Sequence, residues 1–340
     1  MEAAVGDQDL ISGVLAGNRR ALAKAITLIE STRNDHQARA QALLAALLPR
    51  VKQGDGALRV GISGVPGVGK STFIESLGLH LIAQGKRVAV LAVDPSSSVS
   101  GGSILGDKTR MEGLAANEAA FIRPSPSSGS LGGVAEKTRE ALLLCEAAGF
   151  DVVIVETVGV GQSETVVAGM TDTFALLQLP NAGDDLQAIK KGIVELADIV
   201  VINKADIDAA AAESAAAQMR SAMAMLRPAS PHWQPVVLTG SAIGETRRVT
   251  IADFWQAVEN HRAALEAAGE FAVKRRRQAL DWMWQLIDSG LRARFRNHPG
   301  VVEALPPLQR AVEDGTVTPA AAAQRLLDMP GQAWDKVDFE

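Results

Sequence analysis

Tyrosine is absent from these 340 residues, cysteine occurs once, and the five histidines (His36, His80, His232, His261 and His298) are scattered along the chain. Cys145 has no second thiol for an internal disulfide, and it sits in the apolar helical stretch 141–145, so it reads as a buried core thiol. One soft ligand and no imidazole cluster argue against a protein that carries a transition metal such as nickel. No apolar run approaches the length of a bilayer span, and residues 1–7 lack the basic-then-apolar layout of a secretory signal. The expectation is a cytoplasmic protein with no membrane contact. Positive charge is also short: the net charge of −5 offers no general field for a polyanion, which argues against nucleic acid as a partner. What remains, 47% hydrophobic and 21% charged residues, is the composition of a globular chain rather than a disordered one.

The most informative stretch is Gly64-Val65-Pro66-Gly67-Val68-Gly69-Lys70-Ser71, which fits G-x-x-x-x-G-K-[ST]. In such a loop the glycines let backbone N–H groups close around phosphate oxygens. Lys70 brings a cation to the β- and γ-phosphates, and Ser71 offers a hydroxyl to Mg²⁺. The flanks have the required order: the apolar run 58–63 is of strand type, and Ser71-Thr72-Phe73-Ile74 opens a helical pattern. Gly64 to Thr72 are therefore candidate nucleotide contacts.

Around this loop the chain reads as helical, then alternating, then helical. Residues 8–52 carry apolar positions at helical spacing, and Lys52–Gly56 breaks the pattern. Strand-like runs at 58–63, 87–93, 119–123, 151–156, 172–178, 198–203 and 235–239 follow, mostly as continuous apolar runs suited to a parallel sheet buried on both faces. From about 250 the chain is helical again, with an apolar stripe through Trp282, Trp284, Leu291 and Phe295 that suits a core or a homodimer seam equally. The expected organisation is a helical N-terminal extension (1–54), an α/β nucleotide-binding domain (55–265) and a C-terminal helical region (266–340). The basic run Lys274-Arg275-Arg276-Arg277 reads as a solvated helix face.

Two further loops carry chemistry. Asn203-Lys204-Ala205-Asp206 follows a strand where an NKxD base-recognition loop belongs, and the Asp206 carboxylate can accept two hydrogen bonds from guanine that adenine does not supply. Asn203 and Lys204 would brace that loop, and Ser241-Ala242-Ile243 resembles the remaining base-contacting segment. Glu156-Thr157-Val158-Gly159 ends a buried strand where a D-x-x-G would lie near Mg²⁺ and the γ-phosphate, with Glu in place of Asp and the Gly159 N–H aimed at the phosphate. Val160 occupies the position of a water-orienting glutamine, so unaided hydrolysis is expected to be slow and stimulated by a partner. Asp94 and Asp107 lie in polar loops suited to a metal-dependent switch, with a simple solvated turn as the alternative.

Taken in order, these stretches resemble the MeaB/ArgK family of G-proteins associated with methylmalonyl-CoA mutase. The phosphate loop, 93–98, 101–111, 123–129, 156–164 and 203–206 carry the resemblance. It implies an α/β P-loop GTPase core with a mostly parallel sheet flanked by helices, a helical N-terminal extension and a C-terminal helical dimerisation arm forming a homodimer. It also implies Mg²⁺-dependent GTP hydrolysis to GDP, binding of the mutase, gating of adenosylcobalamin delivery and protection of the mutase as a chaperone. By position, Lys70, Asp94, Asp107, Glu156 and Gly159 carry over as catalytic residues, and Ser71, Asp94, Asp107 and Glu156 as metal ligands. The stretch 178–192 resembles a switch loop signalling to the mutase, through Gln178, Asn181, Asp184, Asp185, Gln187 and Lys190; from the residues alone it is a turn leading into a helix. Two alternatives share the core: a GTP-dependent kinase, and a metal-insertion GTPase, which the histidine and cysteine count disfavours.

Overall fold

The computed structural model describes residues 5–53, 56–93, 111–124, 131–157, 163–180 and 191–329. Three helices come first: α1 (Val5–Leu15), α2 (Arg19–Glu30) and α3 (Asn34–Gln53). The Asn18 side chain caps α2 by accepting from the backbone N–H groups of Arg20 and Ala21. Alternation then begins with β1 (Leu58–Gly64), α4 (Lys70–Ala83), β2 (Val88–Val93), α5 (Glu112–Ala115), β3 (Ala120–Arg123), α6 (Leu131–Ala147) and β4 (Val152–Thr157). It continues with α7 (Ser163–Ala168), β5 (Thr173–Gln178), α8 (Lys191–Leu196), β6 (Ile199–Ile202), α9 (Ala209–Ala224) and β7 (Val236–Thr239). Helices α10 (Arg247–Ala267), α11 (Glu270–Asn297), α12 (Pro299–Glu313) and α13 (Pro319–Asp328) close the described chain. None of the described helices is long and apolar enough to cross a membrane.

All seven expected strands are present and form one sheet in the order β3-β2-β4-β1-β5-β6-β7, every neighbouring pair parallel. Strands β2, β4, β5 and β6 are buried at every position, which is why they appear as unbroken apolar runs. On one face Val60, Ile62, Ile154 and Leu177 pack with α4 and α10, where Phe73 meets Phe254 edge-on at 5.0 Å between centroids. On the other, Val153, Val155, Phe174 and Leu176 join α6 and α9 in a cluster that runs outward into Leu22, Ile26, Ile29, Leu43 and Leu47 of α2 and α3. Cys145 lies in this cluster with no exposure, and burial pushes its thiol well above the ordinary range.

The chain divides into two compact units, Met1–Arg276 and Arg277–Glu340. Within the first, the strand-start edge of the sheet is closed by a row of carboxylates. Asp151, Asp172 and Asp198 stand immediately before β4, β5 and β6, and each accepts a backbone N–H from a neighbouring strand: Arg87 at 2.7 Å, Arg59 at 2.9 Å and Phe174 at 2.9 Å. The Phe174 N–H is buried and needs such a partner; the Arg59 bond is half-buried and the Arg87 bond exposed.

The same row corrects the reading of residues 274–277 as one solvated face. Arg275 donates to both Asp172 carboxylate oxygens at 2.8 and 2.6 Å and to the Ala57 carbonyl at 2.7 Å, and Lys274 donates to the Asp172 carbonyl at 2.6 Å. Arg276 is exposed. In the second unit, Arg277 is 84% exposed and reaches Asp281 at 4.0 Å. Helical periodicity shows which residues share a face, but not that the buried carboxylates before β5 and β6 meet the first turns of α11, Asp172 at Arg275 and Asp198 at Lys274, 3.8 Å away. In the second unit, Leu280, Met283, Trp284, Ile287 and Leu291 are exposed.

Candidate functional site

Strand β1 delivers the chain to the opposite edge and ends on Gly64, and α4 starts at Lys70. Two glycines fix the turn between them. Gly64 has φ +153°, and a Cβ there would lie 2.5 Å from the Leu177 carbonyl oxygen. Gly69, with φ +99°, caps α4, and a Cβ would stand 2.9 Å from the Asn203 amide nitrogen. Val68 is buried and anchors the loop in the core, whereas Pro66, Gly67 and Thr72 face solvent and Val65 is half-buried. The first N–H groups of α4 therefore sit behind a glycine cradle, the arrangement that binds phosphate through backbone donors and the positive end of a helix.

Lys70 is only 7% exposed, and its ammonium group donates to the carbonyls of Gly64 at 2.7 Å and Val65 at 3.3 Å. The Ser71 hydroxyl donates to Glu156 Oε1 at 3.3 Å, which brings the strand-end acid of β4 to the first turn of α4. Two oxygens bound to one octahedral Mg²⁺ at about 2.1 Å lie about 3 Å apart, so Ser71 and Glu156 fit as neighbouring ligands of that ion. Among the described residues no group of three or more His, Cys, Asp and Glu converges on a metal. Beneath the acid, Ser63 and Thr157 share a buried hydroxyl–hydroxyl bond of 2.8 Å that ties β1 to β4.

The base loop is joined directly to the phosphate loop. Asn203, 2% exposed, donates its side-chain amide to the Val68 carbonyl at 2.8 Å, and Lys204 Nζ donates to the Gly67 carbonyl at 2.8 Å. The Lys204 backbone lies in the left-handed region at φ +62°, where a lysine is strained, and the tether to Gly67 accompanies that conformation. Backbone bonds from the Asn203 N–H to the Gln178 carbonyl and from the Ala205 N–H to the Gly240 carbonyl set the loop over the sheet edge. Asp206 is exposed beyond it. Ser241 and Ala242 are buried and Ile243 is 53% exposed. Ser76 of α4 donates to the Ala242 carbonyl at 2.9 Å, and the Ser241 N–H donates to Thr250 at 3.1 Å.

Of the candidate residues, 64–72, Glu156, 203–206 and 241–243 thus lie at the strand-end edge of the sheet, linked by the contacts above. Asp94, Asp107, Gly159, Asn181, Asp184, Asp185, Gln187 and Lys190 fall outside the described residues. Gln178 departs from its reading as part of a partner-facing loop: it is the last residue of β5 and only 2% exposed, and its amide finds no partner among the described residues. Gln178 closes the strand expected over 172–178, and a strand between β1 and β6 is buried to its last residue. Ser76 and Thr250, which hold the third base segment, were missed from the sequence. Ser76 was visible as a hydroxyl inside the apolar pattern of Phe73, Ile74 and Leu77, and Thr250 gave no signal.

The chain can be set beside known proteins on this geometry. A family model described as "Methylmalonyl Co-A mutase-associated GTPase MeaB" matches residues 22–300. The GTPase ArgK of Escherichia coli is 53% identical over 315 residues, covering 91% of this chain and 92% of the relative. The mitochondrial methylmalonic aciduria type A homolog of Mus musculus is 46% identical over 327 residues, 94% of this chain and 78% of the relative. A crystal structure of an LAO/AO transport system kinase superposes with a TM-score of 0.75 at 38% identity, covering 96% of this chain and 98% of that one.

Proposed function

Because this chain belongs to the MeaB family of methylmalonyl Co-A mutase-associated GTPases, we propose that its GTP hydrolysis serves as a switch acting on that mutase, gating adenosylcobalamin loading and protecting the enzyme from inactivation. The single observation that supports the switch reading is the pair of 2.8 Å bonds from Asn203 and Lys204 to the phosphate-loop carbonyls, which would couple base recognition to phosphate binding. In this reading Asp206 selects guanine, Lys70 turns its ammonium to the β- and γ-phosphates, and the N–H groups of 67–72 receive the phosphate oxygens. Ser71 and Glu156, joined by Asp94 and Asp107, hold Mg²⁺; when bound, the ion neutralises charge that develops on the phosphates. Gly159 offers its N–H to the γ-phosphate. With Val160 unable to orient water, the unaided rate is low and the partner raises it.

The same family premise supports residues 1–54 as an extension, 55–265 as the GTPase domain and 266–340 as a homodimerisation region, with the exposed apolar residues of α11 as its seam. The protein would then act in the cytoplasm beside its mutase. Co-purification of the two proteins and a GTPase rate that rises with added mutase are the expected results. Lys70→Ala should remove nucleotide turnover in both settings. Absence of both binding and stimulation would overturn the mutase assignment while leaving the GTPase intact.

The relationship to a transport system kinase favours a second reading, in which the phosphate passes to an acceptor. Incubation with γ-labelled GTP separates the two: label on a protein or small molecule supports the kinase, and free phosphate released faster with mutase supports the switch.

A further inference from the structure

Helices α1 and α2 and the start of α3 enclose an open groove of about 950 Å³, well away from the phosphate loop in sequence and serving no part of the nucleotide site. Its floor is apolar and shallow, built from Leu10, Gly13, Ala21 and Leu28. Gly13 matters here: a Cβ on it would come within 2.7 Å of the Ala21 Cβ, so the two helices touch closely at this point and the floor between Leu10 and Leu28 stays shallow. The rim is cationic. Arg20 and Lys24 stand one helical turn apart on α2, both exposed, and neither has an ion pair among the described residues. The other ionic groups at the groove are mostly committed elsewhere. Arg39 is bound by the buried Asp7 through three contacts, and Glu30 is held by Arg123. Asp9 alone adds an unpaired acid.

Two exposed cations against the one acid, Asp9, leave the groove positive in a chain of net charge −5, which with the apolar floor is complementary to an acidic, amphipathic occupant. An amphipathic helix presents an apolar stripe beside a row of carboxylates, the combination that an apolar floor with a cationic rim takes up. We propose that this groove is a docking surface for an acidic amphipathic helix of a partner protein, its apolar side on Leu10 and Leu28 and its carboxylates on Arg20 and Lys24. Resting on the switch reading above, the helix belongs to the mutase. The groove has a physical connection to the nucleotide edge. Glu30 lines it and also grips Arg123, the last residue of β3, whose Nε donates to Glu30 Oε1 at 3.1 Å and whose strand pairs with β2. Docking therefore bears on the end of β3, the edge strand beside β2 in the sheet that carries the phosphate loop.

The test compares the full chain with the double variant Arg20→Glu/Lys24→Glu, both loaded with GDP. Glutamate in the first turns of α2 suits the helix dipole, so the variant should fold. Two probes are titrated at low and high salt: the mutase, and a fluorescent synthetic helix with leucine on one side and glutamate on the other. The expected result is that the original chain binds both, more weakly at high salt, and that the variant binds both about tenfold more weakly with unaided GTP hydrolysis unchanged. Equal binding of the peptide by chain and variant, or no peptide binding at all, overturns the groove. If the peptide responds but mutase affinity is the same for chain and variant, the groove is not the mutase contact. If the peptide responds and the original chain fails to bind mutase, the groove stands and the mutase reading falls.

Discussion

Replacing Asp172 with asparagine removes one negative charge from the strand-start edge while keeping its shape, and the structure sets what that should cost. Asp172 is 2% exposed at its side chain and Arg275 21%, with two charge-assisted bonds between them. Removing one partner of a buried pair costs about 3–5 kcal/mol, chiefly because the remaining charge is stranded. Arg275 is partly hydrated and keeps the Ala57 carbonyl at 2.7 Å, so the lower end, about 3 kcal/mol, applies. The asparagine carbonyl still accepts the Arg59 N–H. Alanine does not, and should cost about 1 kcal/mol more. Chemical denaturation followed by circular dichroism measures both. The double variant Asp172→Asn/Arg275→Gln should lose less than the sum of the single changes, since no unpaired charge is left behind. Because these residues lie at the opposite end of β5 from Gln178 and the phosphate loop, the GTPase rate should change by less than about twofold. An asparagine variant that loses under about 1 kcal/mol would refute the view that this carboxylate holds α11 to the sheet.

Other perturbations address the site and its surroundings. Gly64→Ala forces a methyl against the Leu177 carbonyl at 2.5 Å and should abolish GTP binding in a nucleotide titration, whereas tight binding by that variant would mean the loop relaxes freely. Asp206→Asn should lower the ratio of GTP to ATP affinity by about 10² or more, and an unchanged ratio would remove Asp206 as the guanine reader. His261 is buried against Thr173 at 2.8 Å and near Asp198 at 3.4 Å; burial is the larger influence and lowers its pKa below 6.5 despite the nearby carboxylate. The unfolded chain therefore takes up the proton first. Stability should be level above about pH 6.5 and fall below it, and His261→Gln should flatten the slope below that pH.

Much of the nucleotide edge was legible because its signals are local. A strand buried on both faces must be apolar at each position, so β2, β4, β5 and β6 declared themselves and their ends fell within a residue of expectation. The phosphate and base loops were legible as motifs because backbone geometry demands glycine and base chemistry demands a carboxylate at fixed spacing. What the sequence withheld is pairing at a distance. Nothing near Lys274 or Arg275 points to Asp172, 103 residues from Arg275. The groove between α1 and α2 likewise depends on how closely Gly13 lets two helices approach, a matter of packing and not of periodicity.

The two bonds from Asn203 and Lys204 into the phosphate loop have a consequence for ligands that carry only half of a nucleotide. With both loops strapped together, ordering one largely orders the other, so a bare triphosphate should leave the base loop better prepared for guanosine than guanosine finds it alone. Guanosine must by reciprocity raise the affinity for triphosphate by the same factor. On the proposed reading, the site should behave as one thermodynamic body with two entrances.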